Sequence, residues 1–206
     1  MSDAKYEKNG FSLVEVLLVI AIVGILIAVT TPNWISSRSV ELSGASLEMG
    51  AFFEQARAEA RTYGEPVRVL IHDSPKDLEN FRSRIIAVRR KSPATAEEEP
   101  GWRSLWNPLL LPEGVYFDAS MPGTPDLRVT FQEGKNGEVS WITYEFQPDG
   151  TLSDGGQNVV VAAGVRDSSG TIQIPNPEQV AGFRVSANGR PIQFHTREEI
   201  LSTASR

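Results

Sequence analysis

Residues 10–30 read Gly-Phe-Ser-Leu-Val-Glu-Val-Leu-Leu-Val-Ile-Ala-Ile-Val-Gly-Ile-Leu-Ile-Ala-Val-Thr, an apolar run interrupted by one carboxylate, Glu15. About 20 apolar residues in a helix match a hydrocarbon core about 30 Å thick. A charge at the centre of such a span costs about 2.5–3.5 kcal/mol, so a carboxylate near its start calls for a use. Two conventional readings compete. A secretory signal peptide has an apolar stretch of about 7–15 residues followed by a small-residue cleavage site. This run is longer, and it leads into Thr31-Pro32-Asn33-Trp34 with no Ala-x-Ala. A plain membrane anchor explains neither Glu15 nor the glycine at the boundary, Gly10.

The rest of the 206-residue chain is long enough for one globular domain with its own core. It has no cysteine, which excludes disulfides, thiolate metal sites and cysteine nucleophiles. The net charge of −6 is a poor default for nucleic-acid binding, which shows a basic footprint. Lys5 and Lys8 precede the run and Arg38 follows it, a weak lean toward a cytoplasmic N-terminus.

Beyond Pro32, which should bend the helix by removing a hydrogen bond, the pattern becomes amphipathic. Leu42, Ala45, Leu47, Met49, Phe52, Phe53, Ala56 and Ala60 recur at three- and four-residue spacing. Gly64 and Pro66 mark a C-terminal stop. One helix from about Phe11 to Tyr63 is expected. Past Pro66 the period falls to two, and strands are expected at 67–71, 82–88, 115–117, 127–131, 140–146, 158–162, 170–174, 183–185 and 192–194. Residues 91–101 read as a polar loop, Pro148-Asp149-Gly150 as a turn, and Asn188-Gly189 as a two-residue hairpin connection. The tail from Thr196 forms a short helix or frays. No helices alternate with the later strands, so the fold class is α+β: a long N-terminal helix, its first half membrane-spanning, packed on a mainly antiparallel sheet.

No constellation for catalysis is present, so no enzyme and no cofactor are expected. His72-Asp73-Ser74 contains the residue types of a hydrolytic triad, but consecutive residues cannot fold onto one another, and no Gly-x-Ser-x-Gly elbow exists. His195 reads as a strand-end residue. Asp149-Gly150 and Asp154-Gly155-Gly156 supply turn chemistry rather than the six to eight oxygens calcium takes, and no metal is expected. Arg82, Arg84, Arg89 and Arg90, with Lys91 and Arg103, form one basic region. They are the candidate DNA contacts if the head binds phosphate; otherwise they form a solvated strand face opposite Glu97-Glu98-Glu99. Trp102, Trp106 and Trp141 read as core or subunit-contact residues.

Gly10-Phe11-Ser12-Leu13-Val14-Glu15 followed by an unbroken apolar helix resembles the leader of type IV pilins and type II secretion pseudopilins. The resemblance implies cleavage after Gly10 by a prepilin peptidase, N-methylation of Phe11, and an assembly role for Glu15. Pro32 fits the proline many pilins carry at that distance. The segments Phe52–Val67, ending in Gly64-Glu65-Pro66-Val67, and Ile142–Gly150, ending in Pro148-Asp149-Gly150, are similar to the H-type minor pseudopilin group, which includes FimT-like minor pilins. The implied layout is a leader at 1–10, a membrane and assembly helix at 11–31, its amphipathic continuation at 32–64 and a β-rich head at 65–206. The implied function is a minor pilin or pseudopilin. Its partners would be other subunits, the peptidase and the inner membrane, with the N-terminus cytoplasmic and the head outside. A competence-type minor pilin whose head binds DNA is the alternative.

Overall fold

The computed structural model describes residues 13–91, 101–132, 138–167, 169–194 and 196–204, and excludes the side chains of 24–38, 132 and 203–204. Helix α1 runs over Leu13–Tyr63. Among the described residues twelve strands follow. They are β1 (Val67–His72), β2 (Arg84–Arg90), β3 (Trp102–Ser104), β4 (Leu109–Leu110), β5 (Val115–Phe117) and β6 (Arg128–Gln132), then β7 (Glu138–Phe146), β8 (Gln157–Ala163), β9 (Val165–Arg166), β10 (Ile172–Gln173), β11 (Val180–Val185) and β12 (Pro191–Phe194). Helix α2 (Arg197–Ala204) closes the described chain. The chain divides into two compact units, Met1–Arg38 and Ser39–Arg206.

In the first unit the apolar run is helical from Leu13, and the helix assignment continues through Pro32. Among the described residues no helix is long and apolar enough to cross a membrane. Side chains of the run are described only as far as Val23.

In the second unit, α1 terminates where the sequence places its stop. Gly64 adopts φ +63°, the left-handed conformation that caps a helix without a Cβ penalty. All pairings are antiparallel, as expected, but the strands form two main sheets rather than one. One has the order β3-β2-β1-β7-β6, with β4 also on β2; the other is β12-β11-β8-β5. Among the described residues β9 pairs only with β10. Strand β5 already lies in the second sheet, and the chain returns to that sheet through the turn after β7. Gln147 and Thr151 close the Pro148-Asp149-Gly150 turn, Phe146 bridges Leu152, and the chain then enters β8 in the other sheet.

One core joins α1 to both sheets. Leu42, Ala45, Met49, Phe53, Ala56 and Ala60 bury against Val69, Ile71 and Tyr144 of the first sheet and Val159, Val161 and Phe183 of the second. Phe53 is the hub, meeting Tyr144, Phe146 and Phe183 edge-on at centroid distances of 5.0, 6.2 and 5.3 Å. Offset or T-shaped aromatic pairs of this kind add to area burial. Leu47, expected on the buried stripe, is 62% exposed instead. Its place is taken by Ser46, whose hydroxyl donates to Gln193 Oε1 at 2.9 Å. The outer face of the second sheet is covered by α2, through Val160, Phe194 and Ile200. The outer face of the first carries a smaller cluster of Leu70, Val88, Val139 and Trp141.

Two local expectations change. Arg82, expected inside a strand, has φ 56° and donates its N–H to His72 O, so β2 starts at Arg84. The β11–β12 connection spans 186–190, with Val185 opposite Pro191, rather than two residues. Ser186 and Arg190 pair across it, and Gly189 sits at φ +80°.

Candidate functional site

The first candidate site is the start of α1. Glu15 lies in its first turn, among side chains exposed on every side: Leu13, Val14, Val16, Leu17, Leu18 and Val19. An apolar surface of this extent on a lone helix is stable only against lipid or another protein. Gly10 and Phe11 lie outside the described residues, and of Pro32 only the helical backbone is described. Further along α1, Val40 and Leu47 stay exposed, with the exposed Gly44, Ala51 and Ala58 in line with them. Successive positions lie four, three, four and seven residues apart, the heptad repeat of a helix–helix seam with Glu54 at the skipped place. It lies on the side away from Leu42, Ala45, Met49 and Phe53.

The second candidate is the basic region, whose residues occupy different surroundings. Arg82 Nε lies 3.1 Å from Asp73 Oδ1, while Arg128 Nε holds Asp73 Oδ2 at 3.1 Å. The guanidinium of Arg84 lies 5.7 Å from the Trp141 ring centroid. Arg89 is held most firmly. Its Nη1 meets Glu59 Oε1 at 2.8 Å and its Nε meets Glu65 Oε2 at 3.1 Å, and the group stacks 3.7 Å over Tyr63. This ties β2 to the last turn of α1. Arg90 is exposed at the end of β2. With Lys91, Arg103, Arg89 and Glu65 it lines a shallow recess of about 140 Å³. The sequence gives no signal for the Glu59–Arg89–Glu65 group. Only the β1–β2 register, with Val67 opposite Arg89, brings these residues together.

The histidine region has a different arrangement from a triad. His72 is buried at the end of β1, edge-on to Trp141 at 5.0 Å, with Nε2 3.6 Å from Asp77 Oδ2. Asp73 is taken by Arg82 and Arg128, so the carboxylate beside His72 is Asp77. Burial opposes the Asp77 charge, but hydrogen bonds from Asn80 and the nearby His72 and Arg84 hold its carboxyl below the usual range. His195 lies outside the described residues.

Asp149 Oδ1 accepts from Thr151 N at 2.9 Å and Thr151 Oγ1 at 2.7 Å, an Asx turn that depresses its pKa. Asp167 accepts similarly from Ser169. Among the described residues no three acidic or histidine side chains are grouped to hold a metal ion.

Residues 7–31 match the family model of the prokaryotic N-terminal methylation motif. No curated protein matches the chain in sequence. Among solved structures, the chain is similar to the type IV minor pilin FimU of Pseudomonas aeruginosa strain PAO1. That likeness has 14% identity and a TM-score of 0.40, over 81% of this chain and 91% of that one. It is also similar to the minor pseudopilin EpsH from the type 2 secretion system of Vibrio cholerae. There the identity is 15% and the TM-score 0.44, over 76% of this chain and 97% of that one.

Proposed function

We propose that the chain is a minor pilin or pseudopilin, a non-enzymatic subunit built into a short helical fibre. The observation that carries this reading is the N-terminal methylation motif at residues 7–31. It coincides with the apolar run and places Glu15 inside it. In the proposed pathway a prepilin peptidase cuts after Gly10, Phe11 receives the N-methyl group, and residues 11–31 sit in the inner membrane with the head outside. The length of the apolar run supports the span. The turn segments after α1 and β7 support the H-type minor group. The exposed line of Val40, Leu47 and the small residues between them would extend the contact between neighbouring helices.

Glu15 acts in assembly. A carboxylate in hydrocarbon requires a cationic partner, because an unpaired charge is costly there. The free amine of Phe11 on a staggered neighbour supplies one, and the pair sets the axial register between subunits. Arg82, Arg84 and Arg89 are occupied by carboxylates and rings of the chain itself, which leaves them poorly placed to hold phosphate.

The test is Glu15→Ala expressed with the major subunit. The variant should be cleaved and membrane-inserted normally, with the mature mass starting at Phe11, yet its crosslinking into fibres should fall about tenfold or more. Normal incorporation would reject the pairing. A mature N-terminus other than Phe11 would reject the motif reading itself.

A further inference from the structure

Strand β3 forms one edge of the first sheet. Strand β3 pairs with β2 on one side, and among the described residues no strand pairs with its other side. Lys91 donates its N–H to Gly101 O, and Leu105 donates to Ala87 O. The Arg89–Arg103 pair lies midway between these two, in the hydrogen-bonded phase of the ladder. Trp102 and Ser104 therefore turn their N–H and C=O groups away from β2, toward the open edge.

The charge at that edge is unusual for this chain. Arg103 is directly opposite Arg89, so two like charges share one face at a cross-strand Cβ separation of about 4.5–5.5 Å, which is destabilising by itself. Glu59 and Glu65 answer Arg89. Among the described residues Arg90, Lys91 and Arg103 form no ion pair, yet they converge on the recess beside Glu65. In a protein of net charge −6 this is, among the described residues, a local excess of positive charge next to backbone groups that no described strand pairs with.

We propose that β3 is a docking edge for an acidic, extended segment of a partner protein. The segment adds as a strand, with backbone bonds to Trp102 and Ser104, and its carboxylates meet Arg103, Arg90 and Lys91. Edge addition of this kind draws affinity from main-chain bonds and specificity from alternate side chains. Three residues make a short edge, so charge complementarity must supply the rest. A nucleic acid fits less well. Phosphate recognition draws on many contacts along a basic stripe, whereas here the positive surface stops at Glu59 and Glu65. The inference stands apart from the reading of the N-terminal helix, since fibre entry and peptide binding fail separately.

The test uses the full chain in nonionic detergent and fluorescence anisotropy. The probe is a labelled peptide of alternating glutamate and valine. Three comparison probes are its glutamine version, a version N-methylated along one edge, and single-stranded DNA of equal charge. The glutamate peptide should bind in a salt-sensitive way. Arg103→Ala should weaken it about tenfold, the scale of a lost charge-assisted hydrogen bond, whereas Lys76→Ala, on an exposed loop, should not. The glutamine and N-methylated peptides should both bind about tenfold more weakly. Equal binding of the N-methylated peptide, an unaffected Arg103→Ala, or tighter binding of the DNA would each overturn the proposal.

Discussion

Tyr144, on β7, is fully buried against α1, packed edge-on against Phe53, and its hydroxyl donates to Asn158 O at 2.7 Å. That bond needs the neutral phenol. Burial pushes the Tyr144 pKa well above its ordinary value of 10.0, and the Arg128 guanidinium only partly offsets this. The unfolded chain ionises at the ordinary value while the folded chain holds its proton. Stability from this group is therefore complete below about pH 10 and is lost as pH rises beyond it, by up to about 1.4 kcal/mol per pH unit. Tyr144→Phe should cost about 1 kcal/mol at neutral pH from the lost hydrogen bond. The same variant should lose this group's alkaline decline. Urea midpoints taken between about pH 9 and pH 11 check this; parallel declines in the two proteins would contradict it.

At the scale of single elements, the sequence was most informative where local chemistry decides. The stop of α1 at Gly64 and the position of β7 follow from capping and alternation, and that of β8 from a continuous apolar run. The strands β3, β4 and β9, of two or three residues, are too short for alternation to register. They exist because β2 and β10 supply partners. Leu47 looked like core because apolar spacing marks a helix face without saying how wide the buried part is. Two glycines separate local preference from tertiary packing. Gly44 lies in α1 with open space where a Cβ would stand. Gly44→Ala should therefore stabilise by about 0.5–1 kcal/mol through helix propensity. A Cβ on Gly182 in β11 would run into the Val159 carbonyl oxygen of β8, and Gly182→Ala should destabilise by about 1–3 kcal/mol. Thermal melts of the two variants should move in opposite directions; a shared direction would contradict the packing described.

Across the molecule, strands were legible but their partners were not. Alternation places Val67–His72 and Glu138–Phe146 each in some sheet, yet nothing local says that β1 lies between β2 and β7. Nor does it say that β5 and β11 flank β8. For the same reason the candidate sites were only half visible. The methylation motif is contiguous and could be found by inspection. The Glu59–Arg89–Glu65 group and the β3 edge come from residues that only the register unites. Such non-local pairing closes large loops before it is rewarded, so folding of the head should be slow compared with helical proteins of its size.

All seven residues of β8 are buried, with strands on both sides, the α1 core on one face and α2 on the other. No local opening can wet that strand without taking apart both its neighbours. Its amide protons should therefore trade with deuterium only through global unfolding, and at the slowest rates in the chain. Those of the β9–β10 ribbon, which pairs with no other described strand, should exchange by local fraying. Added denaturant should bring the two rates together, the ribbon's scarcely changing while that of β8 rises with the full surface dependence of unfolding. Exchange in β8 as fast as in the ribbon would mean that the two sheets come apart without the rest of the molecule unfolding.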